Sequence, residues 1–200
     1  MKIRFATAAA LPLAAVLALA GCAGTSRSGS MPGMDHGSAP MTTATTTATE
    51  ASETDILFLT MMIPHHEQAI EMSDTLLAKT GVDDEVTALA EQIKTAQGPE
   101  IETMKGWLSD WGVSMSEGMS GMDHGGMMSE SDMQALADAD GGDAARLYLE
   151  QMIEHHEGAV DMAQDEIDDG DDSQVVDLAV SIVDGQTAEI STMKDLLAAL

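Results

Sequence analysis

Positive charge is scarce in this sequence. Eight lysine and arginine residues stand against 35 aspartates and glutamates, and the formal net charge is −27. Proteins bind nucleic acid largely by neutralising its phosphates with lysine and arginine, so we expect no nucleic-acid partner. The acidic residues are typical of a solvated surface that keeps a domain soluble and concentrates cations near it, without forming a site by itself.

Long hydrophobic runs and cysteine are also scarce. The apolar run over 8–20 is shorter than the about 20 residues that a transmembrane helix needs. It follows Lys2 and Arg4 and ends in small residues before Cys22, the only cysteine. This order is typical of a bacterial lipoprotein signal, so we predict that residues 1–21 are removed and Cys22 is lipidated. The protein would then be extracytoplasmic and anchored to the cell membrane, and a soft-metal site would have to use methionine sulfur because no thiol is left.

Two segments rich in small and polar residues separate the predicted structural parts. Residues 22–52 have almost no large aliphatic side chain, which predicts a flexible tether, and residues 113–130 form a Met/His-rich loop. Both contain the string Gly-Met-Asp-His-Gly. Thioether and imidazole groups in a flexible loop can bind a soft ion such as Cu(I), although incidental low complexity is an alternative. The candidate auxiliary ligands are Met34, His36, Met119, Met122, His124, Met127 and Met128.

The rest of the chain, residues 53–200, has the starts, ends and periodicity of helices. We predict helices over about 53–80, 83–111, 143–169 and 173–200, with a short segment over 131–138 leading into the third. Glycines at 81, 112 and 170 follow three of them, and aspartates at 83 and 84 and a serine at 173 can cap two.

The predicted helices form two copies of one pattern. The string Met-Ile-Pro-His-His-Glu at 62–67 returns as Met-Ile-Glu-His-His-Glu at 152–157, and Gln-x-x-Glu-Ile-x-x-Met at 97–104 returns at 186–193. Each half is therefore predicted to be a helical hairpin, over 53–112 and 131–200. One hairpin cannot bury its apolar stripe alone, so the two should pack as an all-α four-helix bundle.

Polar residues interrupt the apolar stripes at the middle of this bundle. Both histidines of each pair face inward on the predicted helical wheel, whereas Glu67 and Glu157 face water. An antiparallel hairpin places His66 level with Gln97 and, in the second copy, His156 level with Gln186. Buried polar groups need partners. We expect these side chains to converge: His65, His66, Gln97, Glu100, His155, His156, Gln186 and Glu189.

The order and spacing of these residues resemble the bacterial domain of unknown function 305 family. The similarity covers about residues 53–200, and Ala145 replaces the motif's aspartate in the second copy. The resemblance implies an extracytoplasmic, ferritin-like four-helix bundle. It also implies a copper-related role, since some members are periplasmic copper-binding proteins. It adds Asp55 as a ligand or as support for one. The motif residues of the first copy are Asp55, Phe58, Met62, Ile63, Pro64, His65, His66, Ala69, Ile70, Met72, Gln97, Glu100, Ile101, Met104, Trp107 and Leu108.

Copper binding is the function that this pattern favours. Imidazole and thioether groups suit Cu(I) or Ag(I), and other soft or borderline metals are alternatives. Met62 and His66 are four residues apart, so both can bind one ion from the same helix face. Sequestration, buffering or transfer of the ion would follow, with a metal-handling protein or a second copy of the chain as a further partner. The candidate ligands are His65, His66, His155, His156, Met62, Met152, Met72, Met162, Met104 and Met193.

Two other functions fit parts of the pattern. In one, the bundle is a structural or partner-binding lipoprotein, its histidine, glutamine and glutamate side chains satisfy one another, and its methionines only fill the core. In the other, it is a ferritin-like metal oxidase. The Glu-x-x-His motif of di-iron bundles is absent, because Met62 and Ile63 stand three residues before the first histidine pair. No activated nucleophile or phosphate loop is evident either, so we do not expect an enzyme.

Overall fold

The computed structural model describes residues 52–114 and 125–200, and the structured parts of these ranges are helical. The predicted all-helical fold is confirmed. The predicted signal, residues 22–51 of the predicted tether with Cys22, Met34 and His36, and the loop residues Met119, Met122 and His124 lie outside the described residues. Five helices occur in the described part: α1 (Glu53–Leu77), α2 (Asp84–Asp110), α3 (Glu130–Asp138), α4 (Gly141–Asp169) and α5 (Ser173–Ala199).

Short polar side chains begin the helices. Ser52 and Asp55 form a capping box at the start of α1, in which each side chain accepts a hydrogen bond from the backbone N–H of the other. Asp83 caps α2 as predicted. The cap of α5 is Asp172 and not Ser173, which is already the first helical residue. Aspartate accepts from the first amides of a helix as well as serine does, so the start moves by one residue.

The first helix ends earlier than its sequence indicates. We predicted a helix to about residue 80, but α1 ends at Leu77 and the chain turns through Gly81 at a φ of +77°. A left-handed residue of this kind is found after many helices, because glycine adopts it without a steric penalty. The three residues between Leu77 and Gly81 are used in the turn that leads to α2.

The helices pack as the repeat predicts. α1 packs against α2 and α4 packs against α5, which makes the two hairpins, and contacts between α1 and α4 join the hairpins to each other. The predicted lead-in segment is a separate short helix, α3, which packs on both α1 and α4. None of the described helices has the length and apolar character needed to cross a membrane.

The apolar core of the bundle consists of two clusters with a polar layer between them. The Phe58 cluster contains apolar residues of 58–63, 101–108, 159–163 and 175–182. The Tyr148 cluster contains apolar residues of 69–76, 86–93, 128–136 and 144–152, together with Met193. Along every long helix the residues between the clusters are the polar ones singled out in the sequence. We call them the polar layer: His65, His66, Gln97, Glu100, His155, His156, Gln186 and Glu189.

Candidate metal centre

The polar layer lies inside the bundle. The four histidines are at most 1% exposed, and Gln97, Gln186 and Glu189 are also buried. Glu100 is the most accessible member, with a side chain that is 26% exposed. The layer is therefore a desolvated site with partial access to solvent on the side of α2.

Each hairpin contains one histidine–glutamate pair. In the first hairpin Nε2 of His66 lies 2.8 Å from Oε2 of Glu100, and in the second Nε2 of His156 lies 2.8 Å from Oε2 of Glu189. The two copies of the motif thus make the same contact. In each pair the glutamate fixes one ring nitrogen of the histidine and leaves Nδ1 on the other side of the ring.

The partner of each paired histidine differs from the one expected from helix heights. The sequence placed His66 level with Gln97, but the structure pairs it with Glu100, one turn further along α2. Side chains on a helix lean toward its N-terminus. In an antiparallel pair the imidazole of His66 and the carboxylate of Glu100 therefore lean toward each other's level and meet between their Cα positions.

The remaining two histidines bring the hairpins into contact. The ring centroids of His65 and His155 are 3.7 Å apart with an interplanar angle of 42°, and those of His155 and His156 are 6.3 Å apart. Burial, with a further contribution from the other three imidazoles, holds the pKa of His155 well below its usual range. His155 is therefore neutral at pH 7. A neutral imidazole has a free electron pair on one ring nitrogen, which is the form that binds metal ions.

Several buried polar atoms of the layer have no hydrogen-bond partner among the described residues. They are both ring nitrogens of His155, Nδ1 of His66 and of His156, and the side-chain amides of Gln97 and Gln186. A buried polar atom without a partner costs about 1–3 kcal/mol. A network whose members satisfied one another would not contain so many. These atoms fit a bound ion, because a carboxylate on one imidazole nitrogen commonly orients the other toward a metal.

The candidate methionine ligands belong to the two clusters that lie on either side of the layer. Met62 and Met104 belong to the Phe58 cluster, and the half-buried Met162 packs against it. Met152 and Met193, their counterparts, belong to the Tyr148 cluster together with Met72. Each group of three thus contains two methionines from one hairpin and one from the other. Met62 and Met152 precede their histidine pairs by three and four residues, which places them on the same helix face as the imidazoles.

In the part of the chain that the structure describes, no three histidine, cysteine, aspartate or glutamate side chains are grouped as ligands of a metal ion. The glutamates of the layer are paired with histidines, so the candidate donors are the imidazole nitrogens of the layer and the thioether sulfurs of the two adjoining clusters. This combination suits Cu(I) or Ag(I) better than Ca²⁺, Mg²⁺ or Mn²⁺, which prefer several oxygen ligands.

Asp55 lies away from the polar layer. It precedes His65 by ten residues, or about 15 Å along a helix. Its carboxylate accepts hydrogen bonds from the backbone of Ser52 and from the amides of Asp171 and Asp172, at 3.0 to 3.2 Å. These bonds tie the start of α1 to the turn between α4 and α5.

A second carboxyl group, which the sequence analysis did not single out, lies beside Asp55. Glu166 is 1% exposed, and burial followed by its contact with Asp55 raises its pKa to about 8. Burial also acts on Asp55, but hydrogen bonds from Ser52 and Asp172 outweigh it and lower the pKa of Asp55. Glu166 follows Ala159 and Ala163 at helical spacing, on the buried stripe of α4. This spacing could have indicated from the sequence that its carboxyl group is buried.

Two of the candidate loop ligands lie within the described residues. Met128 is buried at 8% exposure and belongs to the Tyr148 cluster, and Met127 is half-buried. The backbone of Met128 is held by Gln68 of α1, whose side-chain amide donates to the carbonyl at 2.9 Å and accepts from the N–H at 2.7 Å. Met128 therefore belongs to the bundle core.

Comparison with known families and structures agrees with this architecture. The sequence matches the family described as domain of unknown function (DUF305) over residues 20–84 and 55–197. A similar structure is that of a candidate secreted DUF305 protein from Streptomyces coelicolor, with 36% identity over 73% of this chain and 91% of that chain, and a TM-score of 0.68. A DUF305 fragment from Deinococcus radiodurans has 30% identity over 75% of this chain and 99% of that one, with a TM-score of 0.67.

A third group of similar structures is that of CopM. The Cu(I)-bound form of CopM has 32% identity over 72% of this chain and 96% of that chain, and a TM-score of 0.61. Structures of CopM bound to Cu(II) and to Ag are similar to this chain as well. No curated protein matches the sequence significantly. The match over residues 55–197 and the shared fold show that the chain belongs to the domain of unknown function 305 family.

Proposed function

We propose that this protein binds copper as Cu(I) through the imidazole and thioether groups of its bundle, and sequesters, buffers or hands on the ion outside the cytoplasm. One observation carries the proposal: buried imidazole nitrogens without hydrogen-bond partners lie in a layer between two apolar clusters that contain the candidate methionine ligands. CopM, which is similar over most of the bundle, has been crystallised with Cu(I), Cu(II) and Ag.

The chemistry of the layer favours a soft ion. Thioethers are uncharged, polarisable donors, and neutral imidazole suits copper, whereas hard cations need oxygen donors. The two carboxylates of the layer are each hydrogen-bonded to a histidine. We therefore assign Glu100 and Glu189 to the orientation of the rings and not to direct binding.

The repeat predicts one binding place in each half of the layer. In the first half the donors are His66 with Met62, Met104 and Met162. In the second they are His156 with Met152, Met193 and Met72. The rings of His65 and His155, one from each hairpin, lie in contact with each other. The Met/His strings of the tether and the loop would add weaker auxiliary sites.

The test is a Cu(I) titration of the chain that follows Cys22, in competition with a chromophoric Cu(I) chelator. We expect about two or more bound Cu(I) ions, and lower uptake for the double variant His65→Ala, His155→Ala. A second double variant, His36→Ala, His124→Ala, removes the two histidines of the auxiliary strings and should lower only the weak part of the uptake. Equal uptake by the wild type and the bundle variant would reject the polar layer as the site.

The cellular location is a separate part of the proposal and rests on the sequence before residue 23. We expect the protein in the membrane fraction of the cell, with residues 1–21 removed and lipid on Cys22. Replacement of Cys22 by Ala should move it to the soluble fraction or leave the signal uncleaved. A Cys22→Ala protein that remains in the membrane fraction with its signal removed would contradict lipid anchoring.

A further inference from the structure

A short segment between the hairpins lies against α1 and α4 and is held there through its backbone. We call residues 125–139 the strap. The side chain of Gln68 forms two hydrogen bonds with the backbone of Met128, which we call the clasp. The side chain of Gln151 donates to the carbonyl of Asp132 at 2.9 Å. Lys79 donates to the carbonyls of Ala137 and Ala139 at 2.8 and 2.7 Å. The strap is therefore fixed to both hairpins by side chains that recognise its backbone.

The repeat itself provides the two contacts that hold the start of the strap. Gln68 and Gly158 are equivalent positions, each directly after a His-His-Glu string. Gln68 forms the two hydrogen bonds to Met128. At Gly158 a Cβ atom would lie 2.4 Å from the carbonyl oxygen of Gly125 and 2.6 Å from Cα of Gly126. Only glycine at position 158 allows the strap to lie so close to α4.

This arrangement adds a methionine to the Tyr148 cluster, which lies on one side of the polar layer. Gln68 and Met72 are four residues apart and therefore neighbours on α1. The clasp on the backbone of Met128 brings its side chain into the Tyr148 cluster, which also contains Met72, Met152 and Met193. Among the described residues, the strap contributes no member to the Phe58 cluster.

We infer that Met128 is a fourth thioether ligand of the metal ion bound on the Tyr148 side of the polar layer. The two halves of the repeat then provide different sites, with three thioethers on the Phe58 side and four on the Tyr148 side. A donor that the fold already holds in place loses little conformational entropy on binding. The Tyr148 side is thus the tighter site. This inference rests on the proposed copper-binding function.

Methionine methyl resonances test the inference directly. The chain that follows Cys22, labelled with ¹³C at the methionine methyl groups, is titrated with silver nitrate as a redox-stable probe of the Cu(I) site. We expect the Met128 signal to shift together with the Met152 signal, and at a lower Ag(I) concentration than the Met62 signal. The signal of Met133, on the same strap, serves as the reference. A Met128 signal that stays in place while Met152 shifts overturns the inference.

A substitution separates ligation from packing. Met128→Leu keeps an apolar side chain of similar size and removes only the sulfur. We expect about a tenfold loss of Ag(I) affinity at the Met152 signal and less than about a twofold change at the Met62 signal. Met133→Leu is the matched control and should change neither. Equal affinities in wild type and Met128→Leu reject the fourth ligand, whereas an absence of shifts in every bundle methionine rejects the proposed function itself.

Discussion

The two ends of the bundle occupy equivalent positions in the repeat but use different chemistry. At one end, the start of α1 meets the turn between α4 and α5 through the carboxyl groups of Asp55 and Glu166. At the other end, the start of α4 meets the turn between α1 and α2, and the equivalent residues are Ala145 and Leu76. Both of these are fully buried in the Tyr148 cluster. A carboxyl pair thus fills one junction, and an apolar pair fills the equivalent junction at the other end.

The difference shows that the repeat keeps two buried side chains at each junction but does not fix whether they are polar or apolar. Each junction buries two side chains, one from α1 and one from α4, and the two junctions differ in the chemistry of that pair. Asp55 cannot be exchanged alone, because Glu166 would then be a buried acid without its partner. The carboxyl pair is a coupled unit, and only a double substitution converts one junction into the other.

Burial and the neighbouring Asp55 raise the pKa of Glu166, so we expect one proton on the carboxyl pair at neutral pH. Two ionised carboxylates are acceptors only, so Asp55 and Glu166 can share a hydrogen bond when one of them is protonated. The pKa of about 8 assigns this proton to Glu166 at neutral pH. Asp55 stays ionised because backbone amides and the Ser52 hydroxyl donate hydrogen bonds to its carboxylate. The junction at this end is therefore sensitive to pH, and the apolar junction at the other end is not.

The largest predicted effect comes from breaking the carboxyl pair. Asp55→Ala removes one half of the capping box of α1 and the acceptor for two turn amides, and it leaves Glu166 without its partner. We expect the free energy of unfolding at pH 7 to fall by about 3 kcal/mol. Urea denaturation followed by circular dichroism measures it. Glu53→Ala, an exposed acid in the same helical turn, is the control and should change little.

The double variant Asp55→Ala, Glu166→Leu sharpens this test, because it copies the apolar pair of the other junction. We expect it to be more stable than Asp55→Ala alone, with a coupling free energy of at least about 1 kcal/mol in the double-mutant cycle. Additive effects of the two substitutions would show that the carboxyl groups act independently.

The next effect is a dependence of stability on pH. A carboxyl whose pKa is about 8 in the folded chain and near 4.5 in the unfolded chain keeps a proton on folding that the unfolded chain releases. Its contribution to stability is complete below pH 4.5 and is lost as the pH rises to about 8. Glu166→Gln retains a donor to Asp55 at every pH. We expect its advantage over wild type to be small at pH 5 and to grow by up to about 1.4 kcal/mol for each pH unit toward pH 8.

The measurement compares urea denaturation of both proteins at the two pH values. Glu150→Gln, an exposed position on the same helix, corrects for the general effect of removing one negative charge. An equal gain in stability at pH 5 and pH 8 would contradict a protonated Glu166 in the folded protein.

Sequence reasoning predicted the hairpins and the membership of the polar layer because both depend on helical periodicity, which the repeat shows twice. It did not predict that His66 pairs with Glu100, since this depends on the direction in which side chains lean from antiparallel helices. Nor did it predict the Asp55–Glu166 pair. Those residues are 111 positions apart in the chain, and only the packing of α1 on α4 reveals that each is the partner of the other.

The strap was beyond sequence reasoning for a different reason. Residues 125–129 have no helical periodicity, so the sequence grouped Met128 with the loop ligands. Met128 is buried because Gln68 binds the strap backbone and Gly158 leaves room for it to lie close to α4. A glycine in the middle of a helix, directly after the second His-His-Glu string, was the one signal available from the sequence.

A smaller difference between the halves lies inside the clusters. The Tyr148 hydroxyl lies 2.9 Å from Oγ of Ser73, which in turn donates to the carbonyl of Ala69. The equivalent residues in the other cluster are Phe58 and Ala163, which have no hydroxyl. We expect Tyr148→Phe to lower the free energy of unfolding by about 1 kcal/mol, because a buried hydrogen bond is lost.

The double variant Tyr148→Phe, Ser73→Ala copies the pair of the Phe58 cluster. Because removing both partners of a hydrogen bond leaves no unsatisfied group, we expect it to be no less stable than Tyr148→Phe. Thermal unfolding of Tyr148→Phe, Ser73→Ala and the double variant beside the wild type provides the comparison. If the double variant loses the sum of the two single effects, the hydroxyls do not stabilise the cluster as a pair.

The smallest effect concerns a surface ion pair that occurs once in each hairpin, at equivalent positions. Lys105 and Glu67 form an ion pair at 2.6 Å, and Lys194 and Glu157 form the equivalent pair at 3.0 Å. All four side chains are between 43% and 56% exposed, so water and salt screen the attraction. We expect Lys105→Ala and Lys194→Ala each to cost less than about 0.5 kcal/mol, and to cost the same within error in urea denaturation. An unequal loss would mean that the halves differ at their surfaces as well as at their junctions. Equal, small losses would leave the junctions, the clusters and the strap as the places where the two halves differ.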